Sequence, residues 1–185
     1  MKNVLVLILL PILIACVDNK RKETKKEEET NSKQKIDKNP VEKDDNLKVI
    51  VNAKVLVDDV FEVYFYELGE ETFHSKDYVS SRIKGMAESQ DIIFVMPKKI
   101  YPERLRLDFG RNKNQKPIEL NAVKLKYNEK EYVFSPEEIS SLSPSKFMEC
   151  EPNNETIITK EIDGRYDPYF YTQKVNSIVN YLLED

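Results

Sequence analysis

From Leu47 onward the hydrophobic residues recur mostly at every second position, the period of a strand with one face on a core. In Leu47–Asp58, Val49, Val51, Ala53, Val55 and Val57 share one phase. Phe61, Val63 and Phe65 then alternate with Glu62, Tyr64 and Tyr66, and Asp58-Asp59 between the two runs suits a tight hairpin turn. Val79, Ser81 and Ile83 alternate with Ser80, Arg82 and Lys84 up to Gly85, and Asp91–Met96 is a short apolar strand closed by Pro97. Arg104–Phe109 turns Leu105, Leu107 and Phe109 inward and Arg104, Arg106 and Asp108 outward. Ile118 and Leu120 hold one phase while Val123, Leu125 and Tyr127 hold the other, which predicts a β-bulge near Asn121-Ala122. Lys130–Phe134 is its partner strand, and Glu155–Lys160 a late one. Helical signals are few. Ser135 as N-cap, Pro136 in the first position and Glu137 and Glu138 in the first turn predict a short helix over Pro136–Leu142. Val175, Ile178, Val179 and Leu182 fall on one side of a last helix over Val175–Leu183. About seven or eight short strands with regular turns predict a mostly-β domain over 47–185, an antiparallel sandwich of jelly-roll-like form.

The N-terminus follows a different pattern. After Met1-Lys2-Asn3, Val4–Ile14 runs without a charge. It is shorter than the roughly 20 apolar residues a spanning helix needs and has the length of a signal core. Ala15 and Cys16 follow, and Leu13-Ile14-Ala15-Cys16 matches the lipobox of bacterial lipoproteins, whose obligatory thiol carries the diacylglyceryl group. The expectation is a signal peptide over 1–15 and a lipidated Cys16 as the mature N-terminus, partnered by the membrane through its acyl chains. Val17 rather than an aspartate follows the cysteine, a pattern that points to the outer membrane of the cell envelope.

Residues 16–46 read as the lipidated terminus and a charged tether. Lysine, arginine and glutamate dominate, and only Ile36 and Val41 are aliphatic after Asp18. Such a segment buries too little apolar area to offset the entropy of ordering it, which predicts disorder. About 30 residues of flexible chain average roughly 30 Å end to end.

Charge and cysteines narrow the functional classes. The 185-residue chain carries a net charge of −4 with no basic stripe, which argues against nucleic acid as a partner. Of its two cysteines, Cys16 is assigned to lipid, so Cys150 is left without an intramolecular disulfide. Acidic neighbours Glu149 and Glu151 make it a poor nucleophile. His74 is the single histidine, and no zinc set is expected around it. Asp108-Phe109-Gly110 spells a kinase metal-binding triplet, but the Gly-rich loop and catalytic loop of that chemistry are missing, and there is no Gly-x-Ser-x-Gly turn. No catalytic residue is assigned and no enzyme is expected. No cofactor is assigned either. Asp58 with Asp59, or Asp163 with Asp167, are the carboxylates to consider for calcium, although turn carboxylates are common without a metal.

Two segments carry a resemblance. Ile100-Tyr-Pro-Glu-Arg-Leu-Arg-Leu-Asp-Phe-Gly110, continuing to Pro117-Ile118, and Asp163-Gly-Arg-Tyr-Asp-Pro-Tyr-Phe170 resemble a β-sandwich domain of Bacteroidetes lipoproteins and membrane-bound glycan-processing proteins. The likeness covers most of Leu47–Phe170. It implies an accessory, carbohydrate-module-like sandwich rather than a catalytic unit.

The candidate ligand-binding residues follow from exposed aromatics and arginines. The chain has 10 tyrosines and no tryptophan. Tyr64 and Tyr66 belong to the outer phase of their strand, as do Arg104 and Arg106 of theirs, and Tyr166, Tyr169 and Tyr171 cluster after Gly164-Arg165. Rings can stack on sugar faces while arginines bond hydroxyls, so Tyr64, Tyr66, Arg104, Arg106, Tyr166 and Tyr169 are the expected contacts of a glycan. The same rings can simply cover a sheet. The expected function is a membrane-anchored, non-catalytic binding module. A structural or assembly lipoprotein that binds another envelope protein is the alternative. A glycosidase would instead need two carboxylates facing one cleft about 5–10 Å apart.

Overall fold

The computed structural model describes residues 45–151 and 153–184. The alternating runs become β1 (Lys48–Lys54), β2 (Asp59–Glu67), β3 (Tyr78–Ile83), β4 (Ser89–Val95), β5 (Pro102–Asp108), β6 (Ile118–Tyr127), β7 (Lys130–Val133) and β10 (Thr156–Thr159). Three shorter strands were not anticipated: β8 (Ser143–Pro144), β9 (Met148–Cys150) and β11 (Tyr169–Tyr171). The helices are α1 (Pro136–Ser140) and α2 (Asn176–Leu183). The signal segment, Cys16 and the tether lie outside the described residues. Among the described residues no helix is long and apolar enough to cross a membrane.

The strands form two antiparallel sheets packed as a β-sandwich. Sheet A has six strands in the order β4-β1-β6-β10-β9, with β7 also on β6; sheet B has five, in the order β3-β2-β5-β11-β8. Consecutive strands β1 and β2, β3 and β4, and β5 and β6 are each divided between the sheets. This corrects the expected hairpin at Asp58-Asp59. β1 pairs with β4 and β6, and β2 pairs with β3 and β5, so the Asp58-Asp59 link crosses from one sheet to the other. The reason lies in its bonds. Asp58 Oδ1 accepts the Gly85 N–H at 2.8 Å, and Asp59 is held by the loop after β5, so neither serves a two-residue turn.

The bulge is where the phase change put it. Asn52 faces Ala122 while Ala53 faces Leu120, which leaves Asn121 as the extra residue. Its amide donates to Asn52 Oδ1 and to Ser89 Oγ, so the bulged residue ties β6 across β1 toward β4.

The core lies between the sheets. Val49, Val51, Ala53 and Val55 of the first run meet Phe61, Val63, Leu105, Leu107 and Phe109 from sheet B, all buried. Phe109 stands edge-on to both Phe61 and Phe170, with ring centroids 5.3 and 5.5 Å apart. Burying each such ring contributes about 1.5–3 kcal/mol, which is why the strand alternation alone carried the fold class. Both helices add side chains to the core. α1 has the predicted capping box between Ser135 and Glu138, and its C-terminal carbonyls are met by Asn154, whose Nδ2 donates to Ile139 O at 2.9 Å. α2 buries Val179 and Leu182.

Candidate ligand-binding face

The period of a strand sends every second residue of sheet B away from the core, and registry then fixes which of them meet. On β2, Glu62, Tyr64 and Tyr66 lie opposite Asp108, Arg106 and Arg104 of β5. Tyr78 of β3 lies opposite Tyr64, and Tyr169 and Tyr171 of β11 lie opposite Asp108 and Arg106. The outer face of sheet B is therefore a continuous field of tyrosine, arginine and carboxylate.

Arg106 is its centre. Its Nε and Nη2 donate to the two oxygens of Asp108 at 2.8 and 2.7 Å, and Nη2 also donates to Asp167 Oδ1 at 2.5 Å. The guanidinium carbon sits 3.8 Å from the Tyr169 ring centroid and 5.2 Å from that of Tyr64, which in turn stacks on Tyr78. Planar delocalised charge suits both kinds of contact. Burial opposes the Arg106 charge, but its bonds to Asp108 and its nearness to Asp167 raise its pKa above the ordinary value. Burial pushes Asp108 up to about 7, against the pull of Arg106 and with help from the neighbouring charges of Asp167 and Glu62. Burial likewise raises Tyr169 to about 12, reinforced by its bond to Tyr171, so its phenol stays neutral. Glu62 is buried and paired with the exposed Arg111.

Beside this network lies a groove. After β2 the chain leaves the sheet over residues 68–77 and returns at Asp77, whose carbonyl accepts the Phe65 N–H. This excursion carries Phe73 back over the face, where it stacks on Tyr171 (5.3 Å, 17° between planes) and meets Tyr66 edge-on (4.8 Å). Tyr66, Phe73, Tyr171, Arg104 and Arg106, with Glu71 and Thr72, line a cavity of about 350 Å³. That is the scale of a small-ligand cleft, here lined by three aromatic rings and four polar or charged side chains.

The structure thus brings together Tyr64, Tyr66, Arg104, Arg106 and Tyr169. Tyr66 differs from the expectation in one respect: it belongs to the outer face, but Phe73 and its loop leave it only 7% exposed. Tyr166 is elsewhere. Its hydroxyl donates to Asn112 O or Thr159 Oγ1, pinning the loop after β5 to β10, so its ring is a structural tie. Phe73 has no sequence signal because it lies in an aperiodic stretch, and Asp167, considered only for calcium, gives no sign in the sequence that it reaches Arg106 across 61 positions.

The other candidates resolve differently. Asp59 is surrounded by donors, accepting from the N–H groups of Val60, Arg111 and Asn112 and from the Gln115 side chain. Asp58 pairs with Lys84, and Asp167 with Arg106. These carboxylates are spent on donors, not gathered for calcium. Asp163 sits in a left-handed turn conformation, φ +51°, beside Gly164. Around His74, where no zinc set is expected, Glu70, His74 and Asp77 bring one ligand atom each to within 4.8 Å of one another. All lie in the loop carrying Phe73, where Glu70 and His74 pair at 3.8 Å, an ion pair when the imidazole is protonated, and the Asp77 N–H donates to the His74 carbonyl. Cys150 is half-buried in β9, and burial pushes its thiol up to about 11, which makes it the unreactive group expected, by desolvation rather than by its acidic neighbours.

Comparison of the chain with protein-family models, with curated proteins and with solved structures finds no match. Fold and face define a class: a mostly-β, two-sheet sandwich with an aromatic–arginine outer face on one sheet.

Proposed function

We propose that this chain is a lipid-anchored extracytoplasmic protein of the bacterial cell envelope, seated in the outer membrane through Cys16, and that its sandwich is a non-catalytic module that binds glycans. The groove of Tyr66, Phe73 and Tyr171 beside Arg104 and Arg106 carries this reading. Flat rings give a sugar an apolar platform, and guanidinium N–H groups reach its hydroxyls. The lipobox and tether support the location, since they would hold the face clear of the bilayer. The resemblance to Bacteroidetes lipoprotein sandwiches points the same way. The non-catalytic reading is supported by the carboxylates themselves. Asp108 and Asp167 close on one guanidinium between them, so they do not face an open cleft as a hydrolytic pair must.

The test is a glycan array probed with the lipidated full-length chain in detergent. Saturable binding to one glycan class is expected. Silence across the array would remove the reading.

A second reading, a protein partner in the envelope, rests on a different place. Between β7 and α2, Tyr132, Val133, Ile178 and Tyr181 line an apolar groove, with Val133 50% and Tyr181 56% exposed. Silence on the array would direct attention there.

A further inference from the structure

The two arginines of the groove are not equivalent. Arg106 is saturated, its guanidinium shared between Asp108 and Asp167 and stacked on Tyr169. Arg104 stands one outward position along β5, opposite Tyr66. Among the described residues its side chain forms no ion pair, and its Nε is the one buried side-chain nitrogen or oxygen without a hydrogen-bond partner. Glu71 lines the same groove without pairing with it. A guanidinium is always charged and offers only donors. Buried polar atoms are otherwise nearly always satisfied by protein or ordered water, so Arg104 is the guanidinium of this groove with hydrogen-bonding capacity left for an acceptor.

Resting on the glycan reading of this groove, we infer that its ligand is an anionic saccharide, whose carboxylate or sulfate meets Arg104 while its rings lie against Phe73 and Tyr171. The walls favour this choice. Phe73 and Tyr171 line the groove beside the guanidinium, and a charge-assisted hydrogen bond strengthens as the local dielectric falls. A neutral sugar would cover the same surface and leave the charge unanswered, a cost rather than a gain. Arg106 is already committed within the fold, because Asp108 and Asp167 share its guanidinium. The phenols of Tyr64 and Tyr169, both raised by burial, remain neutral and do not repel an anion. Arg104 thus sets the preference, and the stacked rings supply the platform.

The experiment compares matched ligands on the lipidated full-length chain in detergent: uronic-acid oligosaccharides against their methyl esters, and sulfated oligosaccharides against their desulfated forms. One anionic series is expected to bind about tenfold tighter than its neutralised counterpart, the loss of one charged hydrogen-bond partner. Arg104→Gln, checked for an unchanged unfolding midpoint, should erase that difference, the charged ligands losing more affinity than their neutralised forms. Equal binding of the charged and neutralised forms would overturn the inference yet leave the glycan reading intact. A folded Arg104→Gln that keeps the preference would overturn the role of Arg104. No binding of any saccharide would overturn the glycan reading as well. If Arg104→Gln does not fold, the comparison of ligands on the unaltered chain decides alone.

Discussion

Asp59 and Gly110 of the loop after β5 approach each other closely. A Cβ at residue 110 would sit 2.1 Å from Asp59 Oδ2, and the backbone there has φ +93°. Only glycine meets both conditions, because L side chains avoid that conformation and the carboxylate cannot withdraw without abandoning three backbone N–H groups. The kinase-like triplet Asp108-Phe109-Gly110 is explained by these roles. Asp108 holds Arg106, Phe109 fills the core and Gly110 makes room for Asp59. Gly110→Ala is therefore expected to cost about 2–4 kcal/mol of stability, read as a lower urea midpoint. A variant as stable as the parent would contradict this account of the turn.

At the scale of the element, the outer face of sheet B behaves as one electrostatic unit. Its least settled member is Asp108, with Arg106, Asp167 and Glu62 around it. Its carboxyl holds its proton to about 7 in the fold against an ordinary 3.8. Between those values the folded state binds more protons than the unfolded chain, so this group's contribution is complete at acid pH and is lost as pH rises through about 7. The loss is on the order of a few kcal/mol. Asp108→Asn should flatten the fall in stability from mildly acid to mildly alkaline pH, measured by denaturant midpoints across that range. An unchanged slope would mean that Asp108 is ionised throughout.

The same face shows what the sequence could and could not disclose. Strands of six residues or more announced themselves by alternation, and that alternation also told which of Tyr64, Arg104 and Arg106 face outward. Two- and three-residue strands such as β8 and β11 have no room for a period, so Tyr169 could be flagged as an aromatic but not placed beside Arg106. Tyr66 was legible as outward and illegible as buried, because its cover comes from Phe73 in a loop with no pattern of its own. Tyr166 shared its neighbours' composition but not their face, and only the bonds to Asn112 and Thr159 distinguish it. The Asp58-Asp59 link had hairpin chemistry, yet pairing across sheets is a matter of long-range packing that local turn preferences do not encode.

At the scale of the whole molecule, the proposed binding face is paired with a proposed lipid anchor. The anchor rests on Leu13-Ile14-Ala15-Cys16 and the apolar run before it. Cys16→Ser should prevent lipid attachment and release the protein from membranes, followed by fractionation and by the mass of the N-terminal peptide. If the variant stays wholly membrane-bound with its first residues uncleaved, the apolar run is itself the anchor and the lipoprotein reading fails.

In the proposed mode of binding, ligand is held on the outer face of sheet B, between the loop carrying Phe73 and strands β5 and β11. Hydrogen–deuterium exchange of the full-length chain, with and without the tightest glycan from the array, tests it most directly. Slower exchange over residues 68–77, with further slowing in β5 and β11 and none in sheet A, is the predicted result. Protection confined to sheet A, or to β7 and α2, would contradict it and place the ligand on another surface.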